Sequence, residues 1–308
     1  TDGVVNYAKG IVQLRRLFAD QKIDVVNTNS RRDTMLVGAA ARLAGVPLVV
    51  RSRHLAKRVG SLLSYTVVPH AVIACSQYVR NHLIERGAPP GKVKVVYPGI
   101  DLSHWPQGST LRSELKLAEN DVVIACVAVM REQKGHRTLL EAVEPLIRAR
   151  PNLHLVLVGS GSPLIETLQG IVQEKGLARR VHFLGTRQDV PQILNGADIF
   201  ALATETEATG TVFAEAQASG LPVVGTRVGG VPEMMIENET GILFDLRDVN
   251  GLTTALQKLL DNPALRRQMG TAGRRFVYDA HRYDLSTMAS LTEQAYLDWL
   301  GQRNWRSS

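Results

Sequence analysis

The 308-residue sequence has few cysteines, few aromatic residues and no long apolar run. Its two cysteines, Cys75 and Cys126, each lie inside an apolar, strand-like segment. That excludes a disulfide-stapled scaffold and predicts reduced, buried thiols in a cytoplasmic protein. The longest uninterrupted apolar stretch, Val122 to Met130, is nine residues, whereas a membrane-spanning helix needs roughly 20; it reads as a buried strand. The first residues, "TDGVVNYAKGIVQLRR", contain no apolar signal core with a cleavage site, so no targeting segment is expected in them. Low-complexity segments and internal repeats are missing as well, which argues against disorder and solenoid architectures.

What is present is ordinary globular composition, 44% hydrophobic and 21% charged, with an uneven charge distribution. At roughly 100–200 residues per domain, the length predicts two domains, each large enough to bury a core. Residues 1–105 carry 15 Lys+Arg against 6 Asp+Glu, a balance of +9, and residues 106–308 carry 21 against 23, a balance of −2. The polarity points the first half toward an anionic partner, a phosphorylated ligand or a membrane surface, or serves solubility alone. Nucleic acid is disfavoured, because no arginine-rich tract, helix-turn-helix pattern or aromatic stacking motif accompanies the charge.

Short β-rich apolar runs alternate with longer amphipathic stretches from end to end, the pattern of βαβ units around parallel sheets. Strands are expected at 24–28, 47–53, 71–76 and 93–99, with helices at 32–45 and 76–87 that each end on a glycine. A second series follows the turn-rich "YPGIDLSHWPQGS" of residues 97–109, with strands at 121–129, 153–161, 181–186, 199–204, 222–227 and 241–245, then helices at 248–260, 263–276 and 284–301. The expected fold is α/β, two facing Rossmann-like lobes: residues 1–105 as a first lobe, 106–283 as a second, and 284–308 as a helix returning toward the first. With only four strands and an opening in mid-helix, the first lobe reads as incomplete, from a trimmed or fragmentary chain. Ligands of such sheets lie outside the carboxyl ends of the strands.

The stretch "TETEATGTVFAEAQASGLPVV" (204–224) is the richest in chemistry. A strand ends near Thr204 and a helix starts near Gly210, so the amides of Gly210, Thr211 and Val212 lack intrahelical partners and form an anion cradle suited to phosphate. Glu207 precedes the helix and Glu215 lies one turn inside it. Beside a phosphate they are tolerable if each accepts hydrogen bonds from hydroxyl pairs flanking it, since ionised acceptors make the stronger bonds. A nucleotide sugar has that layout. Spacing alone favours an acidic first turn that satisfies the helix dipole, and also allows a glycosidase pair of carboxylates.

"ETEATGTVFAEAQASGLPVVGTRVGGVPEMM" resembles, nearly end to end, the Glu-x7-Glu segment of the family-4 retaining glycosyltransferases of GT-B fold. "VKVVYPGID", "REQKGHRTLLEAV", "LVLVGSG" and "VHFLGTRQDV" extend the resemblance over some 220 residues. It implies that Glu207 binds hydroxyls of the donor sugar, Glu215 the ribose, and the amides of Gly210 to Val212 the diphosphate. Lys134 matches the family's lysine on the donor diphosphate. The family arginine five residues earlier is absent, with Val129 in its place; Arg131 is the candidate substitute. Gly229 and Gly230 resemble the loop beside the donor sugar, and Gly185, Thr186 and Arg187 the loop whose backbone reads the nucleobase. His54, at the end of "PLVVRSRH", matches a family histidine near the donor sugar and the incoming acceptor. Its neighbours Arg51 and Arg53 are candidate readers of acceptor anions, and Ser76 reads first as a helix N-cap. Gly159 and Gly161 lack the third glycine of a dinucleotide fingerprint, so no NAD site is expected.

The expected activity is transfer of a sugar from a nucleoside-diphosphate-sugar to an acceptor hydroxyl, in envelope glycan or glycolipid synthesis. No cofactor and no metal are expected: there is no Asp-x-Asp in a suitable strand context, and cationic side chains with a helix N-terminus can replace a divalent ion. The expected partners are the nucleotide sugar, a glycan or lipid-linked acceptor, and the inner face of the membrane through the basic first lobe. The rival readings are a sugar-nucleotide epimerase of similar fold and a nucleotide-sugar-binding fragment without turnover.

Overall fold

The computed structural model describes residues 2–56, 60, 62–279 and 281–307, of which 2–5 and 303–307 are described by their backbone alone. The chain forms two compact units, Thr1–Pro98 with Ser286–Ser308, and Gly99–Leu285. The division falls inside the turn-rich segment, after Pro98 and not after residue 105, because Ile100 is tied to residues 283–285. Ile100 bridges Asp284, with Ile100 N donating to Tyr283 O at 2.7 Å and Leu285 N to Ile100 O at 3.2 Å.

In the first unit, β1 (Val25–Thr28), β2 (Leu48–Arg53), β3 (Ala71–Ala74) and β4 (Val93–Val95) form a parallel sheet in the order β1-β2-β3-β4. Valine-rich β2 is central and all six of its residues are buried, as expected of a parallel strand covered on both faces. Leu48, Val50 and Ile73 pack with Ala295 and Trp299 of the helix Leu285–Ser307 on one face. Val26 and Val49 pack with Ala41 and Phe18 on the other. The strand expected over 93–99 ends at Val95, which pairs with Ala74, the last residue of β3; Val96 N still donates to Ala74 O at 3.0 Å, and β3 extends no further. The helix expected over 32–45 is interrupted by a π-helical turn at Thr34–Gly38. Ser76 caps the helix Gln77–Glu85, its hydroxyl accepting from Val79 N at 3.2 Å.

The second unit holds β5 (Val122–Val127), β6 (Leu153–Val158), β7 (Val181–Gly185), β8 (Ile199–Leu202), β9 (Val223–Thr226) and β10 (Gly241–Phe244). They are parallel, in the order β10-β9-β8-β5-β6-β7. The chain winds outward from β5 through β6 to β7, then returns to place β8 on the other side of β5. The β5/β8 boundary is therefore the topological switch point, where the loops leaving two adjacent strands diverge and open a crevice at their carboxyl ends. Cys75 and Cys126 are buried and not disulfide-bonded, and burial pushes the Cys126 thiol up to about 12, which leaves it inert. Among the described residues no helix is long and apolar enough to cross a membrane.

Candidate functional site

Two loops meet at the switch point. One leaves β5, runs through Ala128–Arg131 and a 3-10 turn at Glu132–Lys134, and enters the helix His136–Ala149. Lys134 therefore ends a short turn and does not open the helix, which starts only after Gly135 adopts a left-handed conformation (φ 66°). The other leaves β8 and reaches the helix Thr211–Ala218 through Gly210, also left-handed at φ 86°. The loops are stitched together: Glu205 N donates to Gln133 O at 2.7 Å and Thr204 Oγ1 to the same carbonyl at 3.1 Å.

At the centre of this junction Lys134 Nζ donates to Glu207 Oε2 at 2.5 Å. The pair is mostly shielded, with 27% and 16% of the two side chains exposed. A third loop holds Glu207 in place. Gly230 N donates to Glu207 O at 3.1 Å, and a Cβ on Gly229 (φ 55°) would stand 1.9 Å from that carbonyl, so only glycine admits this approach. Behind it, Gln217 of the helix Thr211–Ala218 donates to Met234 O at 2.7 Å, fastening the helix to the turn Val231–Met234.

Glu215 lies inside that helix, half-buried, its carboxylate with no hydrogen bond or ion pair among the described residues. Burial raises its pKa, because a low-dielectric setting disfavours the ionised carboxylate. The amides of Gly210, Thr211 and Val212 start the helix without a side-chain cap. Arg131 is exposed, with no side-chain partner among the described residues, on the turn beside Val129, itself 52% exposed.

His136 was missed by motif reasoning. It is 1% exposed, with neither ring nitrogen in a well-formed hydrogen bond. Burial pushes its pKa down to about 4, against the opposing pull of the Arg131 and Ala128 backbone. The ring is thus neutral packing beneath the turn that carries Arg131 and Lys134; its place at the start of an amphipathic helix was the available signal.

Gly185, Thr186 and Arg187 lie at the carboxyl end of β7. The Arg187 guanidinium is fully engaged, meeting Asp189 at 2.7–2.8 Å and Glu114 at 2.7 and 3.1 Å, which raises its pKa. Its side chain shapes the loop by joining β7's end to Asp189 and Glu114. Thr186 Oγ1 lies 2.7 Å from Ser160 Oγ. Gly159 and Gly161 are consumed by packing, since a Cβ on either would strike the carbonyl of Ala128 or Met130 at 2.0 and 2.3 Å.

In the first unit, His54 follows β2, with its ring exposed and Nε2 3.2 Å from Asn29 Oδ1. Partial desolvation lowers its pKa. Arg51 and Arg53 do not stand on the surface. They are 5% and 7% exposed, against Tyr65 of the short helix Leu63–Thr66.

Residues 109–276 match the family described as "Glycosyl transferases group 1", and residues 3–104 match "Glycosyltransferase Family 4". The chain belongs to the group 1 glycosyl transferases. This glycosyltransferase is 30% identical to the GDP-mannose-dependent alpha-(1-6)-phosphatidylinositol monomannoside mannosyltransferase of Mycolicibacterium smegmatis, over 87% of this chain and 75% of that one. It is 28% identical to the UDP-Gal:alpha-D-GlcNAc-diphosphoundecaprenol alpha-1,3-galactosyltransferase of Escherichia coli, over 83% and 71%. The fold of the glycosyltransferase is similar to that of Anabaena HepE in complex with UDP, with a TM-score of 0.83 at 22% identity covering 94% and 82% of the two chains. It is similar also to a Rickettsia africae glycosyltransferase, with a TM-score of 0.88 at 19% identity covering 96% and 81%. The two α/β units are those of the GT-B fold.

Proposed function

We propose that this glycosyltransferase moves a sugar, with retention of anomeric configuration, from a nucleoside-diphosphate-sugar to an acceptor hydroxyl, in envelope glycan or glycolipid synthesis. The observation that carries the reading is the Lys134–Glu207 pair at the switch point, beside the uncapped start of the helix Thr211–Ala218. A cation and backbone N–H groups are thereby set beside two carboxylates, a layout that matches a diphosphate flanked by diols. Lys134, Arg131 and the amides of Gly210 to Val212 meet the diphosphate and stabilise the charge it gains as the C1–O bond breaks. Glu207 accepts hydrogen bonds from the donor sugar and Glu215 from the ribose. The Gly229–Gly230 loop lies against the sugar, and the backbone of Gly185–Arg187 reads the base. The acceptor oxygen bonds to C1 from the face the diphosphate leaves, and its proton passes to the departing phosphate oxygen. His54 belongs to the acceptor side of this scheme. The lipid-linked acceptors in the names of the two curated relatives, together with the basic first unit, favour a lipid-linked acceptor reached from the cytoplasmic face of the membrane.

The test is a panel of nucleotide sugars, each with and without lipid-linked acceptors, assayed for released nucleoside diphosphate. Acceptor-dependent release that Lys134→Ala lowers by about 100-fold is expected. Isomerised donor in the absence of acceptor would refute transfer, and binding without release under any condition would reduce the protein to a receptor.

A further inference from the structure

The ends of β1 and β2 are joined by side chains where their backbones have stopped pairing. The last backbone pair between them is Thr28 with Arg51, yet two further links follow. Ser52 Oγ donates to Asn27 Oδ1 at 3.1 Å, and Nδ2 of the same amide donates to Tyr296 OH, on the helix Leu285–Ser307, at 2.8 Å. Two residues further along both segments, His54 Nε2 lies 3.2 Å from Asn29 Oδ1. Asparagine is depleted in strands. Tolerance on an edge strand accounts for the presence of Asn27 and Asn29, but not for both amides reaching the same neighbouring segment.

Asn29 stands on a rigid stretch. Before it, the buried Thr28 hydroxyl donates to Val50 O at 3.2 Å and lies 2.9 Å from that of Thr34. After it, Ser30 Oγ caps the helical turn Arg31–Asp33, accepting from Asp33 N at 3.1 Å. An amide fixed on both sides can orient an exposed ring. Its chemistry also decides the state of that ring. An amide oxygen only accepts, so Nε2 carries the imidazole proton and Nδ1 is left bare, as an acceptor. Nδ1 has no partner among the described residues. Burial lowers the pKa of His54, and its neighbour Arg53 turns its guanidinium to the Tyr65 hydroxyl, so the ring is neutral and Nδ1 bare at pH 7. A bare imidazole nitrogen attracts a hydroxyl proton and repels an anionic oxygen.

We propose that Asn29 is a positioning residue: by accepting from His54 Nε2 it presents the bare Nδ1 to a non-reacting hydroxyl of the acceptor, while the Tyr296–Asn27–Ser52 chain holds the two strand ends in register beside it. The hydroxyl contact rests on the transfer reading above; the state of the ring does not.

The ring is observed by long-range nitrogen–proton correlation NMR in the wild type, Asn29→Leu and Asn29→Asp, with the His54 signals assigned by their loss in His54→Gln. Wild-type His54 is expected as the Nε2–H tautomer. In Asn29→Asp the carboxylate keeps that tautomer and raises the pKa of the ring, because it favours the imidazolium. An Nδ1–H tautomer in the wild type overturns the proposal, as does a His54 pKa equal in the wild type and Asn29→Asp. Kinetics use the donor and lipid-linked acceptor that release nucleoside diphosphate in the panel above. Asn29→Leu should raise the KM for acceptor roughly tenfold and leave that for donor unchanged. Tyr296→Phe, which keeps the ring and its packing, should raise it by a smaller factor. In Asn29→Asp the acceptor KM should match the wild type at alkaline pH and begin to rise at a higher pH on acidification, since the imidazolium has no bare nitrogen. A purely structural role would lower Tm without moving that limb. An acceptor KM unchanged in Asn29→Leu overturns the proposal and leaves the transfer reading standing. Absence of release with every acceptor in the panel sinks the transfer reading and the hydroxyl contact together, and the spectra still decide whether Asn29 sets the ring.

Discussion

Acidification should destabilise the second unit through a single buried ring. His136 is 1% exposed, and burial pushes its pKa from the ordinary 6.5 down to about 4. At neutral pH the ring is neutral in both the folded and the unfolded chain and contributes nothing to pH dependence. As pH falls below 6.5 the unfolded chain takes up a proton that the folded one refuses, so stability is lost until pH approaches 4 and then levels off. A difference of this size is worth ~3 kcal/mol in full, of which about 2 kcal/mol is lost by pH ~4.5. That is a large share of a domain's ~5–15 kcal/mol. Urea unfolding of the wild type and of His136→Asn at pH ~7 and ~4.5 isolates the effect, because the other titrating groups are common to both proteins. The variant is expected to be less stable at neutral pH, having lost packing, yet to lose about 2 kcal/mol less on acidification. Equal losses in the two proteins would show that the ring is not held neutral by burial, and the account of the turn above it would fail.

Glu215→Gln should separate stability from function. The folded-state pKa of Glu215 is raised by burial, so its ionised form costs stability above that value and nothing below the ordinary glutamate value. Thermal unfolding at pH ~8 should show the variant more stable than the wild type, with the gain gone at pH ~3, while donor affinity in calorimetry falls. Gly229→Ala places a methyl against the Glu207 carbonyl at a positive φ. A penalty of about 1–3 kcal/mol is expected, read as a lowered Tm together with a weaker response to donor. Chelation with EDTA should leave transfer intact; loss of activity restored by a divalent ion would refute the assignment of charge stabilisation to Lys134, Arg131 and the helix amides. Arg187→Ala frees Glu114 and Asp189 from their shared cation. It should loosen the β7 loop, seen as faster amide exchange there, and weaken donor binding only through that loop.

Much of the architecture was legible in the chain. All ten strands were placed to within a few residues, because each is a short Val-, Ile- or Leu-rich run bounded by turn residues, and β-branched side chains suit a pleated strand whatever lies next to it. Their limits were less legible. A strand ends where its neighbour stops offering hydrogen bonds, as β4 does opposite Ala74, and pairing is not written in the strand itself. Gly210 and Gly229 adopt left-handed conformations, which glycine admits without strain. Arg187 was named only for a loop whose backbone reads a base; of its side-chain partners, Asp189 was visible two residues on and Glu114 was not.

The sequence by itself determined two α/β units, a helix start beside Gly210 and carboxylates on either side of it, since these depend on local periodicity and on backbone groups that a helix end must leave unpaired. The tertiary structure alone decided that Lys134 meets Glu207, 73 residues away, and that Arg51 and Arg53 are buried against Tyr65. Both outcomes come from strand order and sheet packing, which bring distant loops to one edge and set the burial, and hence the cost, of every charge there.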